Sequence, residues 1–479
     1  MSAGPDRISN HQIKSLKFNI CTPFTKVANI SLETGTFPSL WKQGNVIPIH
    51  KKESRLDPNN YRPVSLMSNL GKLLELLVLR KIERNIDQIL APEMHGFRNN
   101  RGTETALVSL LDKVKDLKCK NKKVAIVALD CSSAFDLLDH SLVLGSLEAM
   151  GAGPRMLAWS ESFLSGCKYS VVVGSACSET WSSKLGAGQG RRFSPVFFNV
   201  GSITMPLWDS VATHVIFADD SCSIVSGDNL EQLDENINSV VKNREEWYRL
   251  AGFQINGKKS ELIGFGCSPS PVTIDGFLVK PKKQIKFLGL TISSNLGWKD
   301  HTSKLCGKIR LAANMIRVYG RLFSVKDKCL LYNGWIRGAI HANGLVYLPF
   351  LKKGEIEDIQ SAMNSGIRAV LGLRRFGYAG ISNLRKKLQI PSISEISTYV
   401  VSKAAWERRQ TFQSEEPSGP MTRSRTKMNL PQKDERGWNG KITSTVLTKA
   451  WNSLSLELKT CISIQQLKKK LKLNIFKFD

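Results

Sequence analysis

Apolar residues along this 479-residue chain fall into two rhythms, short unbroken runs and longer stretches at helical spacing. Val46–His50 reads as a strand, and Leu70–Ile89 as an amphipathic helix that ends before the Ala91-Pro92 break. Val124–Leu129 is continuously apolar, the pattern of a strand buried on both faces. Ser141–Ala149 has helical spacing, and His214–Ala218 with Ser223–Val225 predicts a strand pair joined through an acidic tip. Strand-like runs and helical patterns thus alternate between Asn45 and Phe265. Beyond Pro281, Lys-rich helical stretches take over, at His301–Gly320 and Gly354–Leu373. Gln413–Gly437 is polar, carries Pro417 and Pro420, and reads as a linker ahead of a last basic helix at Ile464–Leu473. Met1–Ile30 is polar and weakly patterned, with no domain of its own, as though cut from something longer.

Apolar residues make up 42% of the chain and aromatics 8%, enough to build a core, and the length suits two or three packed units. Lys and Arg number 68 against 41 Asp and Glu, a formal net charge of +27. Phosphate contacts release counterions and favour such a surface, so nucleic acid is the expected partner. A merely basic, solvated surface is the plain alternative. None of the 10 cysteines belongs to a Cys-x-x-Cys pair, which argues against zinc fingers and zinc knuckles. There is no secretory leader pattern and no apolar run of membrane-spanning length. The expectation is an intracellular protein with reduced thiols, nuclear or cytoplasmic, and no membrane partner.

The acidic tip is Asp219-Asp220, flanked by Val215-Ile216-Phe217-Ala218 and Ser221-Cys222-Ser223-Ile224-Val225. Alone, two Asp residues at a turn are ordinary turn chemistry. A third carboxylate, Asp130, closes the apolar run Val127-Ala128-Leu129. An Asp at a strand exit, facing a paired acidic tip, suits two divalent cations with oxygen ligands. Such ions activate an attacking 3′-hydroxyl and stabilise a leaving pyrophosphate. The competing reading of Asp130 is the N-cap of a following helix.

The wider order of blocks separates these readings. Asn60-Tyr61-Arg62-Pro63-Val64-Ser65-Leu66 is followed by a helix with Gly71-Lys72 and Glu75, then Gly96-Phe97-Arg98 and Arg101-Gly102-Thr103. After Asp130–Asp136 come Gly188-Gln189-Gly190 with Ser194-Pro195 and Phe198-Asn199, then Phe217-Ala218-Asp219-Asp220. Gly252–Asn256 running into Lys259-Ser260-Glu261, and Phe287-Leu288-Gly289, close the series. Over about Leu32–Ser293 this succession resembles the reverse transcriptases of non-LTR (LINE-type) retrotransposons, particularly the jockey and chicken-repeat-like groups. Thr422-Arg423-Ser424-Arg425, Trp451-Asn452-Ser453-Leu454 and the closing Lys-rich helix are weaker likenesses to the ends of such polyproteins.

The resemblance implies an α+β right-hand polymerase fold: fingers, a palm with an antiparallel sheet, a helical thumb and a basic helical C-terminal tail. The corresponding segments are 1–31 (a truncated opening segment), 32–293 (fingers and palm), 294–412 (thumb), 413–437 (linker) and 438–479 (tail). It implies RNA-directed DNA polymerase activity with an RNA template, a DNA primer or target, dNTPs and two Mg²⁺ ions, for which Mn²⁺ can substitute. Asp130, Asp219 and Asp220 match the catalytic, metal-binding triad, with Asp220 the weaker or indirect ligand. Phe135 matches the bulky residue under the incoming sugar that rejects a 2′-hydroxyl, although a core role is the alternative. Gln189 and Gly190 match the block that packs against template and nucleotide. Arg62, Arg98 and Lys259 are candidates for the triphosphate, each also readable as a solvated surface charge. Asp136 is expected to cap or orient the following helix.

The chain departs from the family around Gln189. Gly188 stands where a proline is usual, and Arg191-Arg192 where a small and an aliphatic residue are usual. Two cations are thus expected beside the template groove, tightening phosphate contacts or filling the space of the nucleotide. The second outcome would leave a polymerase-shaped, nucleic-acid-binding remnant without activity. A two-metal nuclease is disfavoured, because it gives Phe135 and Gln189-Gly190 no role. The endonuclease that usually precedes such polymerases has no counterpart in the chain.

Overall fold

The computed structural model describes residues 3–51, 54–132, 134–373, 380–409 and 445–475. The expected linker at 413–437, with Thr422–Arg425, lies outside the described residues. The elements that position the site are α1 (Lys17–Thr34), β1 (Gln43–His50), β2 (Tyr61–Met67), α2 (Asn69–Ile89), α3 (Thr103–Cys119) and β3 (Lys123–Leu129). They continue with α4 (Ala134–Leu137), α5 (Pro154–Leu164), β4 (Lys168–Val173), α6 (Ser194–Gly201), β5 (Thr213–Phe217) and β6 (Asp220–Gly227). Next come α7 (Leu230–Leu250), β7 (Glu261–Phe265), β8 (Gln284–Phe287), β9 (Leu290–Ser293), α8 (Lys299–Tyr319) and α9 (Lys353–Leu371). Two more helices, α10 (Ile393–Glu407) and α11 (Ile464–Ile475), lie beyond.

The central sheet has strand order β7-β3-β6-β5 and is antiparallel throughout. Its middle strand explains the unbroken apolar run. Val124 and Ile126 join one core with α3 residues Leu107, Leu110 and Val114, while Ala125, Val127 and Leu129 join the other with Leu233, Ile237 and Val240 of α7. Both faces are covered, so neither parity of the strand can be polar. A second sheet carries the β1–β2 hairpin, with β4 parallel to β1. The hairpin β8–β9 follows the central sheet.

The helices after β9 share one core with the first face of that sheet. Ile309, Ala313 and Ile316 of α8 and Ile359, Met363 and Ile367 of α9 belong to it. So do Leu447, Trp451, Leu467 and Leu471, which places the described part of the C-terminal segment against the thumb helices rather than apart from them.

The opening segment is a correction to the pattern reading. It forms α1, with Pro23 inside the helix and Gly35 ending it at a left-handed φ of 63°. Phe24, Ala28 and Leu32 face the second core, and buried Trp159 of α5 donates its Nε1–H to Ser31 Oγ at 3.1 Å. A boundary between residues 31 and 32 would therefore cut a packed helix. No helix among the described residues is long and apolar enough to cross a membrane.

Candidate active site

Register brings the carboxylates together. In the β3–β6 ladder Leu129 pairs with Ser221, so Asp130, one step on, stands level with Asp220 at the same edge. In the β5–β6 hairpin Phe217 pairs with Asp220, leaving Ala218 and Asp219 as a two-residue turn. Ala218 takes a left-handed φ of 55°, which an L residue adopts at a cost, and its side chain is buried. The turn is braced from outside, since His95 N–H donates to Ile216 O at 2.8 Å and Ile216 N–H to Glu93 O at 2.9 Å. Asn199 Nδ2 in turn donates to Gly96 O at 2.8 Å, which ties the Gly96-Phe97-Arg98 block and α6 to the acidic hairpin. From below, Ser221 Oγ lies 3.2 Å from the hydroxyl of buried Tyr248.

Asp130 does not cap a helix. A short bridge, Cys131–Ser132 paired with Gln254–Ile255, separates it from α4. Its carbonyl accepts from Asn256 N–H at 2.8 Å and its own N–H donates to Ser260 Oγ at 3.4 Å, so the Gly252–Glu261 block sets its position. Lys259 Nζ sits 3.7 Å from Asp130 Oδ2 and is otherwise well exposed. Arg62 is exposed on β2, close enough for its charge to act on Asp219.

Crowding shows in the acidities. Partial burial pushes the Asp220 carboxyl up to about 6, helped by the negative charges of Asp219 and Asp130. Asp219 is also raised, by burial first and by the Asp130 charge, with a backbone hydrogen bond and Arg62 opposing. Both residues keep contact with solvent. Among the described residues no three His, Cys, Asp or Glu side chains already converge as a cage for an ion. Mg²⁺ holds several waters and takes one or two protein carboxylates together with substrate phosphates, so it does not require such a cage. A hard dication would offset both the burial and the neighbouring negative charge that raise Asp219 and Asp220, so the donor set fits a divalent cation.

The aromatic and turn residues complete the surroundings. Phe135 is half-buried, stacked on Phe198 at 4.7 Å, with exposed Phe97 edge-on at 6.0 Å. It is thus both part of the core margin and part of the exposed aromatic group. Gln189 O accepts from Ser65 N–H at 2.7 Å, and Gln189 Nε2 donates to Asp136 Oδ2 at 3.0 Å. Asp136, expected to cap or orient the following helix, accepts from Gln189 instead. Gly190 has a φ of 112°, and a Cβ there would lie 2.5 Å from Ser65 O. The missing side chain lets this turn close on β2.

Two expectations fail on geometry. Arg98 does not face the carboxylates. Its side chain is 5% exposed and its guanidinium donates to Asp87 Oδ1 and to the carbonyls of Asp87, Leu90, Ala91 and Met94. It organises the turn after α2, and its burial there keeps it away from a triphosphate. Arg191 does not lie in the groove either. It is 1% exposed and turns inward to Glu75, Phe163 and Cys167, leaving only Arg192 exposed. The sequence reading also missed the role of Glu75, whose Oε2 accepts the N–H groups of Arg192 (2.6 Å) and Phe193 (3.1 Å) at the start of α6. A carboxylate on the apolar face of an amphipathic helix was the available signal.

An antiparallel sheet with a carboxylate at the exit of its central strand, level with a second pair on the adjoining hairpin, is a polymerase palm. Residues 49–292 match the family model for the reverse transcriptase (RNA-dependent DNA polymerase), and the chain belongs to that family. It is 26% identical over 318 residues to an RNA-directed DNA polymerase from mobile element jockey of Drosophila melanogaster, covering 63% of this chain and 34% of that one. It is 24% identical over 360 residues to the jockey polymerase of Drosophila funebris, covering 72% of this chain and 39% of the relative. A probable RNA-directed DNA polymerase from transposon X-element of Drosophila melanogaster is 26% identical over 340 residues, 69% of this chain and 37% of its own length. The chain thus spans a little over a third of these curated relatives. An apo telomerase structure from Candida tropicalis overlaps 54% of each chain at 14% identity and a TM-score of 0.40, too loosely to bear on mechanism.

Proposed function

We propose that this chain is an RNA-directed DNA polymerase of a non-LTR retrotransposon, extending a DNA primer on an RNA template with dNTPs. The observation that carries the reading is the common edge of Asp130, Asp219 and Asp220, held in register by the β3–β6 ladder, where burial and neighbouring negative charge raise the Asp219 and Asp220 carboxyls. Asp130 and Asp219 are the principal metal ligands, with Asp220 beside them. When bound, two Mg²⁺ ions supply charge to activate the primer 3′-hydroxyl and to stabilise the departing pyrophosphate. Exposed Lys259 and Arg62 flank the same edge and are placed to receive negative charge from the triphosphate. Phe135, backed by Phe198, offers a firm ring to the sugar. Gln189 and Gly190 present a short turn fixed to β2 for template and nucleotide.

Primer extension on a poly-rA template with an oligo-dT primer tests this. The unmutated chain extends the primer with Mg²⁺ and dTTP, and Asp219→Ala lowers the rate by at least about a thousandfold without unfolding the protein. Tight RNA binding by the unmutated chain with no extension would overturn the reading.

A further inference from the structure

Gly188 and Arg191 depart from the family pattern within four positions of one turn, and the structure joins them. On the underside of that turn Arg191 is buried among Glu75, Cys167 and the Phe163 ring. Arg191 Nη1 donates to Phe163 O at 3.2 Å, at the C-terminal end of α5, and lies 3.1 Å from Cys167 Sγ. A cation suits that helix end, where the last carbonyls lack partners within the helix. The guanidinium carbon sits 3.4 Å from the centre of the Phe163 ring. Arg191 Nε is 3.8 Å from Glu75 Oε1, with both side chains 1% exposed, a buried charge pair at contact range without a hydrogen bond between them, while Nε and Nη2 have no hydrogen-bond partner among the described residues. Burial raises the Glu75 carboxyl, and the Arg191 charge and two backbone N–H groups pull it back.

We propose that Arg191 is a positioning residue: buried against Glu75 and Phe163, it holds the Gln189-Gly190 turn on β2, with Gly188 as its co-adapted partner. The inference rests on the polymerase reading, in which that turn faces template and nucleotide. Each limb of the turn is tied. Ser65 N–H to Gln189 O and Ser194 Oγ to Gly188 O (2.8 Å) hold the ascending limb. Arg191 itself and the Glu75 bonds to Arg192 and Phe193 hold the descending one. Gly188 has a φ of 72°, outside the range a proline ring permits. A Cβ at 188 would lie 2.9 Å from Tyr169 Oη and 3.3 Å from Arg191 Cδ. The glycine therefore gives the backbone its path and leaves Arg191 its room. A small residue at 191 would strand the Glu75 charge in the interior. What reads as a lesion in the sequence is a substituted strut.

Amide hydrogen exchange and primer extension on the full chain test this together. In Arg191→Ser the Ser65 amide and the 186–193 segment are expected to exchange at least about tenfold faster, while β3 and β6 keep their protection. The KM for dNTP rises and kcat changes less, and Arg191→Lys, which keeps the charge, recovers part of both. Gly188→Pro combined with Arg191→Ser is less impaired than Gly188→Pro alone, as coupled neighbours require. Unchanged Ser65 exchange in Arg191→Ser, or protection lost evenly across the palm with an unchanged KM, overturns the proposal. If Arg191→Ser does not fold, Arg191→Lys carries the test, because one ammonium cannot make the Phe163 carbonyl, Phe163 ring, Cys167 and Glu75 contacts together, and an unchanged turn there overturns the proposal equally. An unmutated chain that fails to extend primers defeats the polymerase reading alone, since exchange reports on the turn without substrate.

Discussion

At the palm edge Asp219 and Asp220 reach solvent, crowd one another and Asp130, and are held above the usual carboxylate range. Under the neighbouring turn, Glu75 and Arg191 are each 1% exposed and neutralise one another. The first region keeps negative charge unsatisfied by the protein itself, on a hairpin whose backbone is already strained at Ala218. The second spends its charge inside the fold. The difference separates charge kept for a ligand from charge kept for shape, and it predicts opposite responses to neutralisation.

The largest stability effect is expected in the buried pair. Glu75→Ala leaves Arg191 uncompensated and two N–H groups without an acceptor, and should cost about 3–5 kcal/mol in chemical denaturation. A cost below about 1 kcal/mol would break the comparison. Gly190→Ala comes next, because its φ of 112° and the 2.5 Å approach to Ser65 O leave no strain-free place for a methyl group. Roughly 1–3 kcal/mol of backbone strain is expected, with primer extension falling alongside Tm. Asp220→Asn is the smallest and has the opposite sign. The folded-state pKa of Asp220 is about 6 against an ordinary 3.8, so its ionisation opposes folding fully above about pH 6 and not at all well below pH 4. Removing that charge should raise the metal-free Tm by roughly 2 °C at pH 7.5 and leave it unchanged at pH 3.5.

Much of this architecture was legible in the sequence because its signals are local. The Val124–Leu129 run reads as a buried strand, and the apolar flanks around Asp219-Asp220 suggest a hairpin with an acidic tip. The long cationic side chains were illegible for the opposite reason. Arg98 and Arg191 sit in motifs expected to face substrate, yet the direction of a flexible side chain is decided by distant partners such as the Asp87–Met94 carbonyls and Glu75. Lys259 did reach the carboxylates, because the Asn256–Ser260 turn that holds Asp130 also carries it. The opening helix was overlooked although Phe24, Ala28 and Leu32 repeat at four-residue spacing. Pro23 and the polar residues between them masked the stripe.

The central claim is that the palm edge is a divalent-cation site, and Mn²⁺ binding read by electron paramagnetic resonance tests it without requiring turnover. The unmutated chain should bind Mn²⁺ at pH 7.5. Affinity should fall at least about tenfold in Asp130→Asn and in Asp219→Asn, and weaken towards pH 5 as Asp220 takes up a proton. Equal Mn²⁺ affinity in the unmutated chain and both variants would contradict the account.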